Sequence, residues 1–180
     1  MKKLYIFVFI LALSCNDDKH IKYYKIPKLK VVNKNQDFKI EDSQLSFTWN
    51  VPSNWVIGKE SSMRLASYTI AYDNLFADVS VTNFSGDGGG VEQNVNRWRR
   101  QLNLEPQSIE LIEKDIQNKK SDLGNYKFLK IINPTNEESA FLCSIITVKN
   151  STIFVKLNAT ASGVDKLENQ FLEFCSSFKF

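Results

Sequence analysis

Few residues in this sequence have the type and spacing that chemistry requires. The run Gly86-Asp87-Gly88-Gly89-Gly90, which leads into Val91, is the strongest candidate. Glycines bare their backbone N–H groups, and the start of a helix adds the positive end of a dipole, so such a loop suits an anion or an acidic group of a partner. It lacks the Lys-Ser/Thr of a P-loop and the spacing of a dinucleotide fingerprint, and Asp87 is equally suited to capping the turn or the helix. Two arginines, Arg64 and Arg97, are available to two carboxylates, Asp78 and Asp87. They serve either as ion pairs that lock loop against sheet or as a hydrolase or transferase site, with the carboxylates acting as a pair and Arg64 holding the substrate. No spacing in the chain brings the two carboxylates together. Asn94 and Trp98 complete the candidate binding set, although Trp49, Trp55 and Trp98 are read first as packing groups.

The single histidine, His20, lies far from Cys143 and Cys175 in the chain, so neither thiol gains an obvious base, and a Ser-His-Asp triad or a His-rich zinc site is excluded. No catalytic residue, metal ligand or cofactor is therefore assigned. Cys143 and Cys175 leave two arrangements open: a disulfide, which an oxidising compartment permits, or two small buried hydrophobes.

The N-terminus speaks to location. Lys2 and Lys3 precede an apolar run from Leu4 to Leu13. This is a secretory signal pattern, too short for a hydrocarbon core that needs about 20 apolar residues. Ser14 before Cys15 resembles the lipobox of bacterial lipoproteins, with Ala12 and Leu13 one register out from the usual order. The chain then reads as a signal peptide over 1–14, a lipidated Cys15 with a lysine-rich tether over 15–40, and one domain over 41–180. The tether carries seven lysines between Lys19 and Lys39 and no acid between Asp18 and Asp37. It reads as a solvated spacer, with attraction to anionic headgroups as the sharper alternative. Asn16, Asp17 and Asp18 resemble the export signal of surface lipoproteins, which points to the outer membrane or cell surface.

The whole chain has 23 basic and 20 acidic residues. Two of the basic ones leave with the signal, so the apparent basicity largely vanishes, and no nucleic-acid partner is expected. The expected partners are a membrane, through the lipid on Cys15, and an envelope protein.

The elements that must position these residues follow from periodicity. Leu45–Trp49, Met63–Tyr72, Leu75–Phe84, Lys114–Asn118, Tyr126–Ile132, Ala140–Lys149 and Thr152–Thr160 read as strands. Asp73-Asn74 and Asn150-Ser151 read as hairpin turns, and Val51–Trp55 and Gln107–Ile112 as further turns. Val91, Val95, Trp98 and Leu102 form one stripe of a helix that ends before Pro106. A final helix, Val164–Ser176, carries Val164, Leu167, Phe171, Leu172 and Cys175 on one side, with Ser162 and Asp165 as a capping box. Strands and helices segregated in this way predict an α+β domain, an antiparallel sheet covered by helices.

The segments Met63-Arg64-Leu65-Ala66, Gly86-Asp87-Gly88-Gly89 and Asn94-Val95-Asn96-Arg97-Trp98 resemble the MRxA, GDxGG and NxxRW segments of a family of uncharacterised exported bacterial lipoproteins. The resemblance covers roughly residues 45–104. It implies a PsbP-like α/β/α sandwich, a fold that serves as a binding adaptor in a photosystem subunit and a nuclear-import factor. The implied role is a binding or adaptor module in the cell envelope, with Arg64, Gly86, Asp87, Gly88, Gly89, Asn94, Arg97 and Trp98 at its site.

Overall fold

The computed structural model describes residues 40–42 and 45–180, with side chains from Phe47 onward. The expected signal peptide, Cys15 and all of the tether but Ile40 lie outside the described residues. No helix among the described residues is long and apolar enough to cross a membrane.

Two short strands, β1 (Ile40–Asp42) and β2 (Leu45–Phe47), pair as an antiparallel ribbon. The chain then meets its own C-terminal end. Thr48 exchanges backbone hydrogen bonds of 2.8 and 3.0 Å with Lys179, and Trp49 stacks on Phe178 at 5.1 Å.

The main sheet contains β3 (Trp55–Ile57), β4 (Ala66–Tyr72), β5 (Leu75–Ser85), β6 (Gln117–Ser121), β7 (Gly124–Asn133), β8 (Asn136–Val148) and β9 (Ser151–Ala159). Their spatial order is β3-β4-β5-β9-β8-β7-β6, antiparallel throughout. Three helices cover it: α1 (Val91–Gln101), α2 (Ile109–Asp115) and α3 (Ala161–Ser176). The architecture is the expected α+β sandwich of helix, sheet and helix.

Side-chain alternation sorts the core into two layers. On one side α3 lays Val164, Leu167, Phe171, Phe174 and Cys175 on a face built from residues such as Val79, Phe128, Leu142 and Val155. On the other, α1 and α2 bring Val95, Trp98, Leu102 and Ile112 onto Leu129, Ile131, Phe141, Cys143, Ile145 and Phe154. No residue of β3, β4 or β5 belongs to this second core, so its apolar packing is confined to β9, β8 and β7.

Several local expectations change. Residues 109–115 are helical rather than a turn, and the strand expected at Lys114–Asn118 starts at Gln117. The strand QNKKS keeps no residue fully buried, so it shows no apolar alternation to mark its bounds. Trp55–Ile57 is an edge strand, not the end of a turn; Trp55 drops into the core while Val56 and Ile57 face water. In α3 the capping group is Thr160, whose Oγ1 accepts the Gly163 N–H at 3.0 Å, because the helix starts one residue before Ser162. Asp165 pairs with Lys130 instead. Phe174 joins the buried stripe, and Leu172 is half-buried at its margin.

Cys143 and Cys175 are both free and fully buried. Cys143 belongs to the layer beneath α1 and α2, whereas Cys175 lies on α3 against the opposite face. A disulfide would have to pass through the sheet, so the bridged arrangement is corrected to two separate buried thiols. Burial holds both thiols well above the usual cysteine range.

Candidate functional site

The glycine-rich loop folds as a closed knot. Asp87 does not cap α1; its carboxylate accepts the Gly89 N–H at 2.9 Å, and the cap position falls to Gly90. Asn94, buried in the first turn of the helix, donates back to the carbonyls of Gly88 at 2.9 Å and Gly90 at 2.6 Å. Gly86 donates to the Asn150 carbonyl at 2.6 Å, and Thr152 Oγ1 donates to the Gly86 carbonyl at 2.8 Å. Gly88 has φ +61°, and a Cβ there would lie 2.8 Å from the Phe154 ring. The glycines therefore let the loop settle on β9. The Gly86, Gly89 and Gly90 N–H groups are spent within the protein, which removes most of the donors an anion would need.

Trp98 is buried, edge-on to Phe154 at 5.8 Å, and acts as packing beneath the loop rather than as a contact surface. What the loop and the outer flank of α1 leave open is a shallow cleft of about 400 Å³ bordered by Gly88, Gly89, Gln93, Asn94, Arg97 and Pro106.

Arg64 stands elsewhere. Its two terminal nitrogens each donate to one oxygen of Asp78, both at 2.9 Å, and it leans on Ser67 Oγ at 3.4 Å. This bidentate pair fastens the segment before β4 onto β5. Both side chains keep some exposure, so the pair contributes about 0–1 kcal/mol. Asp78 and Asp87 do not converge. Asp78 lies near the start of β5 and Asp87 beyond its end, and the seven residue steps of strand from Asp78 to Ser85 span roughly 23 Å. The hydrolase or transferase site is corrected on that ground: one carboxylate is committed to Arg64 and the other to its own turn. Among the described residues no three His, Cys, Asp or Glu side chains gather as a metal site.

Among the described residues, Lys156 is a charge that none of the sequence motifs marks. Lys156 lies on β9 opposite Ser80 of β5, on the side of the sheet that α1 only partly covers. Its ammonium donates to Gln101 Oε1 of α1 at 2.9 Å and sits 4.3 Å from the centre of the Phe141 ring. Burial lowers its pKa, as do Arg64 and Arg97, against the opposing pull of Cys143 and Asp78. A lysine interrupting the apolar run Ile153-Phe154-Val155-Lys156-Leu157 was the available signal.

No family model matches the sequence, and no curated protein matches it. Solved structures do. A cyanobacterial PsbP (CyanoP) from Synechocystis is similar at 17% identity, covering 78% of this chain and 90% of that one, with a TM-score of 0.48. A protein from Bacteroides thetaiotaomicron is similar at 13% identity over 74% of this chain and 44% of that one, with a TM-score of 0.46. LpqN, involved in cell envelope biogenesis of Mycobacterium tuberculosis, is similar at 13% identity over 80% of this chain and 90% of that one, with a TM-score of 0.42.

The eight candidate residues thus divide. Gly86, Asp87, Gly88, Gly89 and Asn94 build one rigid loop, Trp98 supports it from below, Arg64 belongs to the bare half of the sheet, and Arg97 on α1 lies between.

Proposed function

We propose that this chain is an envelope lipoprotein, held to a membrane through Cys15, whose domain is a non-enzymatic module that docks an envelope protein with the loop and the outer flank of α1. The observation that supports it is the state of the loop before any partner arrives: its backbone is tied down by Asn94, Asp87 and Thr152, and the cleft beside it is shallow and open. A surface that needs no ordering loses less entropy on association, which is the economy of an adaptor. A small-molecule site instead encloses most of its ligand.

A photo-crosslinking residue at Gln93, compared with the same probe at Glu173 on α3, tests the docking surface in cells. One discrete protein adduct from Gln93 and none from Glu173 is expected. Equal labelling from both, or none from Gln93, defeats the reading. The anchor is tested separately: wild type is expected in the membrane fraction with the mass of a lipidated chain lacking residues 1–14, and Cys15→Ala outside it.

A further inference from the structure

The β3-β4-β5 side of the sheet carries a second surface, which meets the cleft beside the loop at Arg97. Three cations face one region there. Arg64 donates to Ser67, which pairs with Ser80, the β5 partner of Lys156, and Gln101, which holds the Lys156 ammonium, lies one helical turn after Arg97 on α1. Asp78 is the carboxylate beside them among the described residues, and both of its oxygens are already taken by Arg64. Lys156 has one neutral acceptor and an aromatic ring face for its three N–H donors, and Arg97 has no ion pair among the described residues. Lys156 is half-buried, and a partly desolvated cation without a carboxylate partner of its own is costly to hold.

The register places an apolar area beside these charges. Thr69 pairs with both Val56 and Asp78, and in the next row of the same face Ala71 pairs with Phe76. Phe76 is 73% exposed and Val56 66% exposed, unusual for side chains on a sheet face. From Phe76 to Ser80, which sits beside Lys156, is roughly 13 Å along β5. A cationic end and an apolar end therefore share one surface, about the length of a headgroup and glycerol unit apart.

We infer that this half-sheet binds an amphiphilic phosphate, its phosphate between Lys156 and Arg97 and its apolar part over Phe76, Ala71 and Val56. The phosphate oxygens would take the unfilled donors of the lysine and the fork of the arginine. Arg64, held by Asp78, adds charge without direct contact.

The test uses the full chain, isotopically labelled, titrated at constant ionic strength with dihexanoyl phosphatidic acid below its micelle concentration and, separately, with inorganic phosphate. The lipid is expected to shift the signals of Ser80, Lys156 and Gln101 and to bind at least about tenfold more tightly than phosphate. Lys156→Met, which keeps the apolar stem over Phe141, and Arg97→Gln, on an exposed helix flank, are each expected to weaken it about tenfold. Phe76→Ser should weaken the lipid and leave phosphate unchanged. Arg99→Gln, on the flank facing Glu105, is the unaffected control. Equal affinity for the two ligands, binding indifferent to Lys156→Met and Arg97→Gln, or no binding at millimolar lipid with the variants still folded, overturns the inference.

Discussion

The two faces of the seven-stranded sheet differ in what covers them. The α3 face is sealed from β4 to β7 by aromatic and aliphatic side chains, among them Phe128, Phe171, Phe174 and Phe178, all essentially inaccessible to water. The opposite face has its apolar core over β7, β8 and part of β9, whereas over β3, β4 and β5 it carries polar residues such as Ser67 and Ser80 and the exposed Val56 and Phe76. The strands themselves account for this. On β5 the α3 side reads Ala77, Val79, Val81 while the other reads Phe76, Asp78, Ser80, Thr82. On β8 both sides are apolar. On β9 the second face passes from Phe154 to Lys156 to Asn158, and coverage by α1 gives out along that same sequence. Helices settle where apolar area removes the most water, and the half-sheet they leave is where charge can collect.

Variants can break or sharpen this contrast. The largest effect is expected from Phe171→Ala, which opens a cavity in the sealed layer and should cost about 3–5 kcal/mol in denaturant unfolding; a loss below about 1 kcal/mol would show that the α3 face is not the main source of stability. Next come the thiols. Buried on opposite faces with raised pKa, Cys143 and Cys175 should be alkylated at least about a hundredfold more slowly in the native chain than in the unfolded one, with no reductant needed to expose either. Peptide mapping that finds them joined would refute the two-layer assignment.

Gly88→Ala should be smaller, about 1–3 kcal/mol, since it combines a strained positive φ with a collision against Phe154. Its damage should be confined to amide exchange in the loop and α1, leaving α3 protected. Lys130→Met is expected to cost under about 1 kcal/mol. Asp165 and Glu168 hold the lysine's pKa above its ordinary value, so its contribution is complete below that value and is lost as pH rises through the elevated one. Melting curves of the two proteins should therefore converge at strongly alkaline pH and stay apart near neutrality.

These contrasts bear on what a sequence reveals. The stripe Val91, Val95, Trp98, Leu102 and the turn at Asp73-Asn74, where Asp73 takes φ +42°, were readable because one side chain pattern or one backbone demand marks each. Helix Ile109–Asp115 was not, and the strand expected at Lys114–Asn118 was placed three residues early, since each buries too little to leave a pattern. Of the site, the Arg64–Asp78 pairing was anticipated as one of two options, but the split of the eight residues between loop and half-sheet was hidden. Lys156 and Gln101, 55 positions apart, meet only because β9 runs beneath the end of α1.

The clasp between Thr48 and Lys179 has a mechanical meaning. If the chain is held at Cys15, any pull on the domain enters through the segment before Thr48 and meets at once the backbone pair with Lys179, the Asn50 N–H donating to Ser177 Oγ and the Trp49–Phe178 stack. Load is handed across to the end of α3 and the packed aromatic layer beneath it, in which Phe47, Trp49 and Phe178 are joined, so the force is shared by the core before it reaches the strands of the main sheet.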